Sequence, residues 1–285
     1  MSAQMRVVAA YLRLARATGA FPPAQQDPPR PPRRLARRHR VAVRHVGAFE
    51  CHTVLPRDRT TERAVLYLHG GSYVSHMSPQ HWQLISRMAD AAIRVEVPHY
   101  GLAPRYTHRD AYPFVTAVYR ELLAGTAPDR TAIVGDSAGG GLALGLTQTL
   151  TASRLPQPGR LVLIAPWLDV TLTNPGIAAL ESHDPMLSRA DLLAAARGWA
   201  GGDDPALPRL SPVNGPLSPL PPTDVYIGTR DLFLPDVRRL ADRAAAAGTT
   251  MNVVTCEGGV HDYPLVPAPE GRAAARAIVR SVSLP

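Results

Sequence analysis

The chain has 285 residues, 45% of them hydrophobic, enough to bury one large α/β core. Its net charge is +8, and every one of the 31 basic residues is an arginine, a bias that GC-rich coding produces without selection for an anionic partner. Two cysteines exclude a disulfide scaffold, no stretch is apolar enough to span a membrane, and no dinucleotide or P-loop glycine pattern is present.

In chain order, Met5 to Ala17 is an amphipathic stretch broken by Arg6, Arg13 and Arg16, unlike a signal peptide, so a cytoplasmic protein is expected. Phe21-Pro22-Pro23 and Pro28 to Arg34 read as an extended proline-rich linker. Strands are predicted at Val41 to Val46 and Phe49 to Leu55, close enough to begin the sheet antiparallel. Strand and helix patterns then alternate: a strand at Ala64 to Leu68, a helix at His81 to Ala92, a strand at Ile93 to Val97 and a helix at Ala111 to Leu123. Further strands are predicted at Thr131 to Val134, Leu161 to Ala165, Thr223 to Ile227 and Met251 to Thr255, with helices after Ser137, at Asp236 to Ala247 and at Glu270 to Val282. Such alternation predicts an α/β fold, a mostly parallel sheet covered by helices on both faces. Residues 170–222 carry one helix pattern, Arg189 to Trp199, between proline-rich loops, and stand outside the sheet. Cys51 and Cys256 are expected as buried free thiols.

Gly135-Asp136-Ser137-Ala138-Gly139 carries the chemistry. It lies between a β-branched run and a small-residue helix, the setting of a nucleophile elbow: a sharp turn that lifts the serine hydroxyl off the sheet edge. Gly135 and Gly139 leave room for strand and helix to approach. Upstream, His69-Gly70-Gly71-Ser72-Tyr73 follows a strand. There Gly70 and Gly71, with the N–H of Ala138, are candidate oxyanion donors, and losing one such donor typically costs about 100- to 1,000-fold in rate. His69 is read as orienting this loop and Ser72 as supporting it. Asp231 follows one strand and His261 the next, in the Ser–Asp–His chain order expected of an acid and a base. The rival acid, Asp236, reads better as a helix N-terminal residue. The other nine histidines have no comparable position, and no Cys/His cluster has metal-ligand spacing.

Together these motifs resemble the α/β-hydrolase fold esterases of the hormone-sensitive lipase branch. His69-Gly70-Gly71 is similar to the family's oxyanion motif and Gly135 to Gly140 to its elbow. Tyr100-Gly101-Leu102-Ala103-Pro104 is similar to the segment between them, and Asp184-Pro185-Met186-Leu187 and Ser211-Pro212 to the segments before the acid strand. Ser72 stands where a third glycine is usual, His99 where an aspartate often precedes the tyrosine, and Arg105 where an acid follows Ala-Pro. The last two bear on a supporting ion-pair network and not on the triad.

The resemblance implies a single α/β-hydrolase domain, residues 1–285, with cap segments at about 1–40 and 170–222. It implies a carboxylic ester hydrolase acting on short to medium acyl chains through an acyl-enzyme on Ser137, with no cofactor and no metal. Leu187, Leu192 and Trp199 are candidates for the acyl pocket, with ordinary cap packing the preferred reading. Two alternatives stay open. The Gly-Gly-Ser-Tyr loop resembles that of amide hydrolases such as arylformamidases or metabolite deacetylases, and some proteins of this fold bind ligands without turnover, though these tend to lose the histidine. The arginine cluster of Arg30, Arg33, Arg34, Arg37, Arg38, Arg40 and Arg44 is read as a solvated cap face and not a nucleic-acid patch. A small-molecule ester is the expected partner; weak membrane-surface contact through the N-terminal helix and a homodimer are left open.

Overall fold

The computed structural model describes residues 1–21 and 23–284. Strands β1 (His39–Val46), β2 (Phe49–Pro56), β3 (Arg63–Leu68), β4 (Ile93–Pro98), β5 (Thr131–Asp136), β6 (Arg160–Ile164), β7 (Thr223–Gly228) and β8 (Met251–Cys256) form one sheet. Its spatial order is β1-β2-β4-β3-β5-β6-β7-β8. β2 pairs antiparallel with β1 and β4; the other pairings are parallel, so the carboxyl ends of β3, β5, β7 and β8 share one edge. The fold class read from the sequence is the one observed.

The central strands are buried on both faces, and their alternation sorts them between two cores. Leu66 and Leu68 of β3, with Ile133, Leu163 and Val225, face one hydrophobic cluster. Val65 and Tyr67 of the same strand, with Val134, Ile164 and Tyr226, face the other. Helices α4 (His108–Leu123), α5 (Ser137–Leu150), α7 (Arg189–Ala200) and α8 (Leu234–Ala246) pack into the first cluster; α1 (Ala3–Thr18), α3 (Pro79–Asp90) and α9 (Pro269–Ser283) pack into the second.

Two predicted helix starts move upstream for a capping reason. Ser78 caps α3 and Pro79 occupies its first position, where a missing N–H costs nothing. Thr107 caps α4, and the Asp110 carboxylate accepts from the Thr107 N–H at 2.9 Å. Two short helices escape the periodicity reading, α2 (Arg33–Arg38) and α6 (Gly176–Leu180), each with one buried side chain, Leu35 and Ile177. Residues 23–32 hold no helix or strand; Pro22 of the expected linker lies outside the described residues. Among the described residues no helix is long and apolar enough to cross a membrane.

Two expectations need correcting. The arginine cluster is not a uniform cap face: α2 leads directly into β1 at the outer edge of the sheet, and Arg44 reaches inward to Glu96, which is wholly buried, and to Glu121. A carboxylate inside the sheet needs paired cations, and Glu96 has one from β1, Arg44, and one from its own strand, Arg94. Cys51 is buried, but Cys256 at the end of edge strand β8 is only half-buried, because β8 has no neighbour beyond it. Leu187, Leu192 and Trp199 agree with the preferred packing reading: they sit within the first core cluster, and the Trp199 ring stacks on Tyr73 at 4.0 Å and 1°. Tyr73 thereby ties the oxyanion loop to α7.

Candidate active site

The turn from β5 into α5 places Ser137 at φ 52°, the left-handed region that a side chain enters only under constraint. Two glycines make that turn feasible. A Cβ on Gly135 would strike the carbonyl of Gly139, and a Cβ on Gly139 would strike the carbonyl of Leu68 at the end of β3. Both obstacles are backbone and cannot swing aside. Gly139→Ala is therefore expected to destabilise the fold by about 1–3 kcal/mol, read as a lower urea midpoint; an unchanged midpoint would show that the elbow has slack.

The Ser137 hydroxyl lies 3.0 Å from His261 Nε2, and His261 Nδ1 lies 2.9 Å from Asp231 Oδ2. All three are almost fully buried. His261 comes from the loop after β8 and Asp231 from the turn after β7, so three segments far apart in the chain meet at one sheet edge. The second Asp231 oxygen accepts from the Phe233 N–H at 2.9 Å, and the Phe233 ring meets His261 edge-on at 5.4 Å. Asp236, the rival acid, is turned elsewhere and accepts from Asn174 at 2.8 Å.

The oxyanion loop departs from expectation. The Gly70 N–H donates to Asp136 Oδ2 at 2.9 Å, so it points beneath the elbow and not toward a substrate. This corrects the reading of Gly70 as an oxyanion donor. The physical reason is the buried Asp136 carboxylate, which must gather donors: it also accepts from the Tyr67 hydroxyl at 2.7 Å and from His81 Nε2 at 2.9 Å. The N–H groups of Gly71 and Ser72 make no hydrogen bond among the described residues, and that of Ala138 lies in the first turn of α5, where no intrahelical acceptor exists. Gly71 sits at φ 117°, and a Cβ there would strike the Ser75 carbonyl. His69 contacts the loop on both sides: its Nδ1–H donates to the Gly70 carbonyl at 2.7 Å, and its ring stacks on Tyr100 at 4.5 Å.

An alpha/beta hydrolase fold family profile matches residues 65–265, well over half of the chain. The chain belongs to the alpha/beta hydrolase fold family. It is 36% identical over 206 residues to an acetyl-hydrolase of Streptomyces hygroscopicus, covering 72% of this chain and 69% of that one. It is 31% identical over 216 residues to an esterase of Acinetobacter venetianus, covering 74% and 71%. Among solved structures, it superimposes on an esterase from the bacterial hormone-sensitive lipase family with a TM-score of 0.86 at 28% identity, covering 99% of this chain and 98% of that one. The resemblance to that branch of the alpha/beta hydrolases therefore holds.

Sequence reasoning left several neighbours of this hydrolase's site without roles. Asp136 was visible inside the elbow motif but appeared only as its variable position. His81 pairs with it, so an ion pair lies buried directly under the serine. Burial would raise the Asp136 pKa, yet His81 and the Tyr67 hydroxyl hold it below the ordinary carboxylate range. Asp184 accepts from the Leu232 N–H at 2.8 Å, bracing the turn that carries Asp231. Asp262 places Oδ2 3.4 Å from His261 Nε2 and takes a left-handed φ of 52°. The Asp184-Pro185 match to the family was the one signal for the brace; nothing in the linear pattern marks Asp262.

Proposed function

We propose that this alpha/beta hydrolase cleaves carboxylic esters through an acyl-enzyme on Ser137. The observation that carries the reading is the continuous hydrogen-bond chain from Ser137 through His261 to Asp231. His261 takes the hydroxyl proton as Ser137 attacks the ester carbonyl, and Asp231 holds the histidine tautomer and stabilises the imidazolium. The N–H groups of Gly71, Ser72 and Ala138 receive the oxyanion, with Ser72 in the place first given to Gly70. The histidine then protonates the leaving alcohol, and water releases the acid by the same route.

The acetyl-hydrolase and esterase names of the relatives support a short acyl group. The proposed cover consists of the N-terminal segment and residues 170–222. Supporting it, Arg16 donates to the Asp184 carbonyl at 2.8 Å, and residues 25 and 26 cross the oxyanion loop through Gln25 N–H to Ser75 Oγ at 2.9 Å and Gln26 Nε2 to the Val74 carbonyl at 2.9 Å. The test is hydrolysis of p-nitrophenyl esters from acetate to laurate, with a fluorophosphonate label located by mass spectrometry. Turnover with an optimum at short chains and a label on Ser137 is the expected result. Ester cleavage with the label elsewhere would overturn the assignment of the nucleophile.

The pH profile tests the surroundings of the base. Burial disfavours the charged form of His261, but Asp262, then Asp231 and Asp184, favour it more and carry its pKa above the ordinary histidine value. His261 accepts a proton only when neutral, so the acid limb of kcat/KM should lie above the usual histidine range near 6.5. Asp262→Asn removes one of these carboxylates and should move that limb to lower pH. An unmoved limb would mean that Asp262 carries no charge felt by the base.

A further inference from the structure

His69, His76 and His99 are buried together behind the oxyanion loop, and one ring nitrogen of each lies within 4.8 Å of one from each of the others. Their centroids form a nearly equilateral triangle, with sides of 5.5, 5.9 and 5.5 Å. Each ring keeps one buried nitrogen without a partner: His69 Nε2, His76 Nδ1 and His99 Nδ1. The opposite nitrogens of His69 and His99 are engaged. His69 Nδ1–H donates to the Gly70 carbonyl at 2.7 Å, and the Gln26 backbone beside the His76 ring favours its protonated form. His99 Nε2 lies 3.0 Å from His52 Nδ1, and His52 Nε2 faces Glu50 at 3.7 Å. That carboxylate favours the Nε2–H tautomer of His52, which makes His52 Nδ1 the acceptor and His99 Nε2–H the donor.

The tautomers of His69 and His99 leave one bare lone pair each, and His76 Nδ1 beside them has no partner either, in a cluster whose ring nitrogens come within 4.8 Å of one another. Lone pairs cannot hydrogen-bond among themselves, and a single water has only two hydrogens for three acceptors. A cation satisfies all three at once. Outer hydrogen bonds that fix each ring's tautomer are the usual support of metal-bound histidines.

We propose that His69, His76 and His99 form a binding site for a divalent transition metal of the zinc type, which clips the two ends of the oxyanion loop to the end of β4. Three neutral imidazoles suit zinc, copper, nickel or cobalt and not magnesium or calcium. Zinc–nitrogen bonds of about 2.0–2.1 Å would tie His69 and His76, at the two ends of the loop, to His99. The position follows from the chain: His69 begins the loop carrying Gly70 and Gly71, His76 ends it, and His99 stands where the family often has an aspartate. The metal's role here is to hold the loop; no step of ester cleavage passes through it.

The test uses the tag-free full chain, stripped with chelator and titrated with Zn2+ by calorimetry, with Co2+ as a spectroscopic probe. The expected result is one metal per chain, a rise in Tm on loading, and the visible bands of nitrogen-coordinated Co2+. His76→Gln and His99→Gln should each weaken Zn2+ binding at least about tenfold, and His183→Gln, an exposed histidine outside the trio, should not. If His99→Gln fails to fold, His76→Gln and the Co2+ spectrum decide. Absence of one-to-one binding, or binding unaffected by His76→Gln, would overturn the proposal.

Discussion

Ser137→Ala is expected to lower kcat on p-nitrophenyl acetate by about a million-fold, the scale on which losing the nucleophile of a serine triad falls. The magnitude is large because the three groups act as a unit. Without the hydroxyl, His261 has no proton to take and Asp231 nothing to support; only the Gly71, Ser72 and Ala138 donors still favour attack by water, worth about 10³–10⁴ over the uncatalysed reaction. The substitution removes one oxygen at a site already held by backbone, so the fold should survive, which circular dichroism and an unchanged Tm would establish. Stopped or end-point hydrolysis rates read the loss directly. A residual rate within about tenfold of the native enzyme's would place the nucleophile elsewhere, contrary to the 3.0 Å contact with His261 Nε2.

Asp231→Asn is expected to lower kcat by about 10⁴ with little change in KM. The asparagine is nearly isosteric and keeps the acceptor for the Phe233 N–H. Toward His261 it presents either an amide N–H, which imposes the wrong tautomer, or a neutral oxygen, which no longer stabilises the imidazolium. The loss should therefore fall on the chemical step. Asp236→Asn is the internal control: Asp236 is bonded to Asn174 and has no contact with the base, so its effect should stay within about twofold if packing is preserved. Equal losses in the two variants would mean that the acid has been misassigned.

Much of this was legible because the informative features are local. The left-handed turn at Ser137 needs glycines two residues to either side, and Gly135 and Gly139 announce it. The strands of a parallel sheet, buried on both faces, appear as unbroken apolar runs, and a carboxylate or imidazole just past such a run must lie at the sheet's carboxyl edge. Chain order then nominates Asp231 and His261 as acid and base. The same reasoning misjudged Gly70, because its glycine character marks a close approach without saying to what: here the close neighbour is Asp136, a hydrogen-bond hub built from β3, β5 and α3. It also missed the histidine trio, since His69 and His99 end adjacent parallel strands yet lie thirty positions apart in the sequence.

What the sequence alone determined, then, is the backbone chemistry: the elbow, the order of acid and base, and the double-faced sheet, each set by steric limits or hydrophobic period within a few residues. What only the tertiary structure decided is how buried polar groups are shared. Which N–H satisfies Asp136, which carboxylates surround His261 and which ring nitrogens are left bare depend on donors and acceptors brought together from distant segments. A buried polar atom must find whatever partner the packed fold puts within about 3 Å, and no linear spacing encodes that distance.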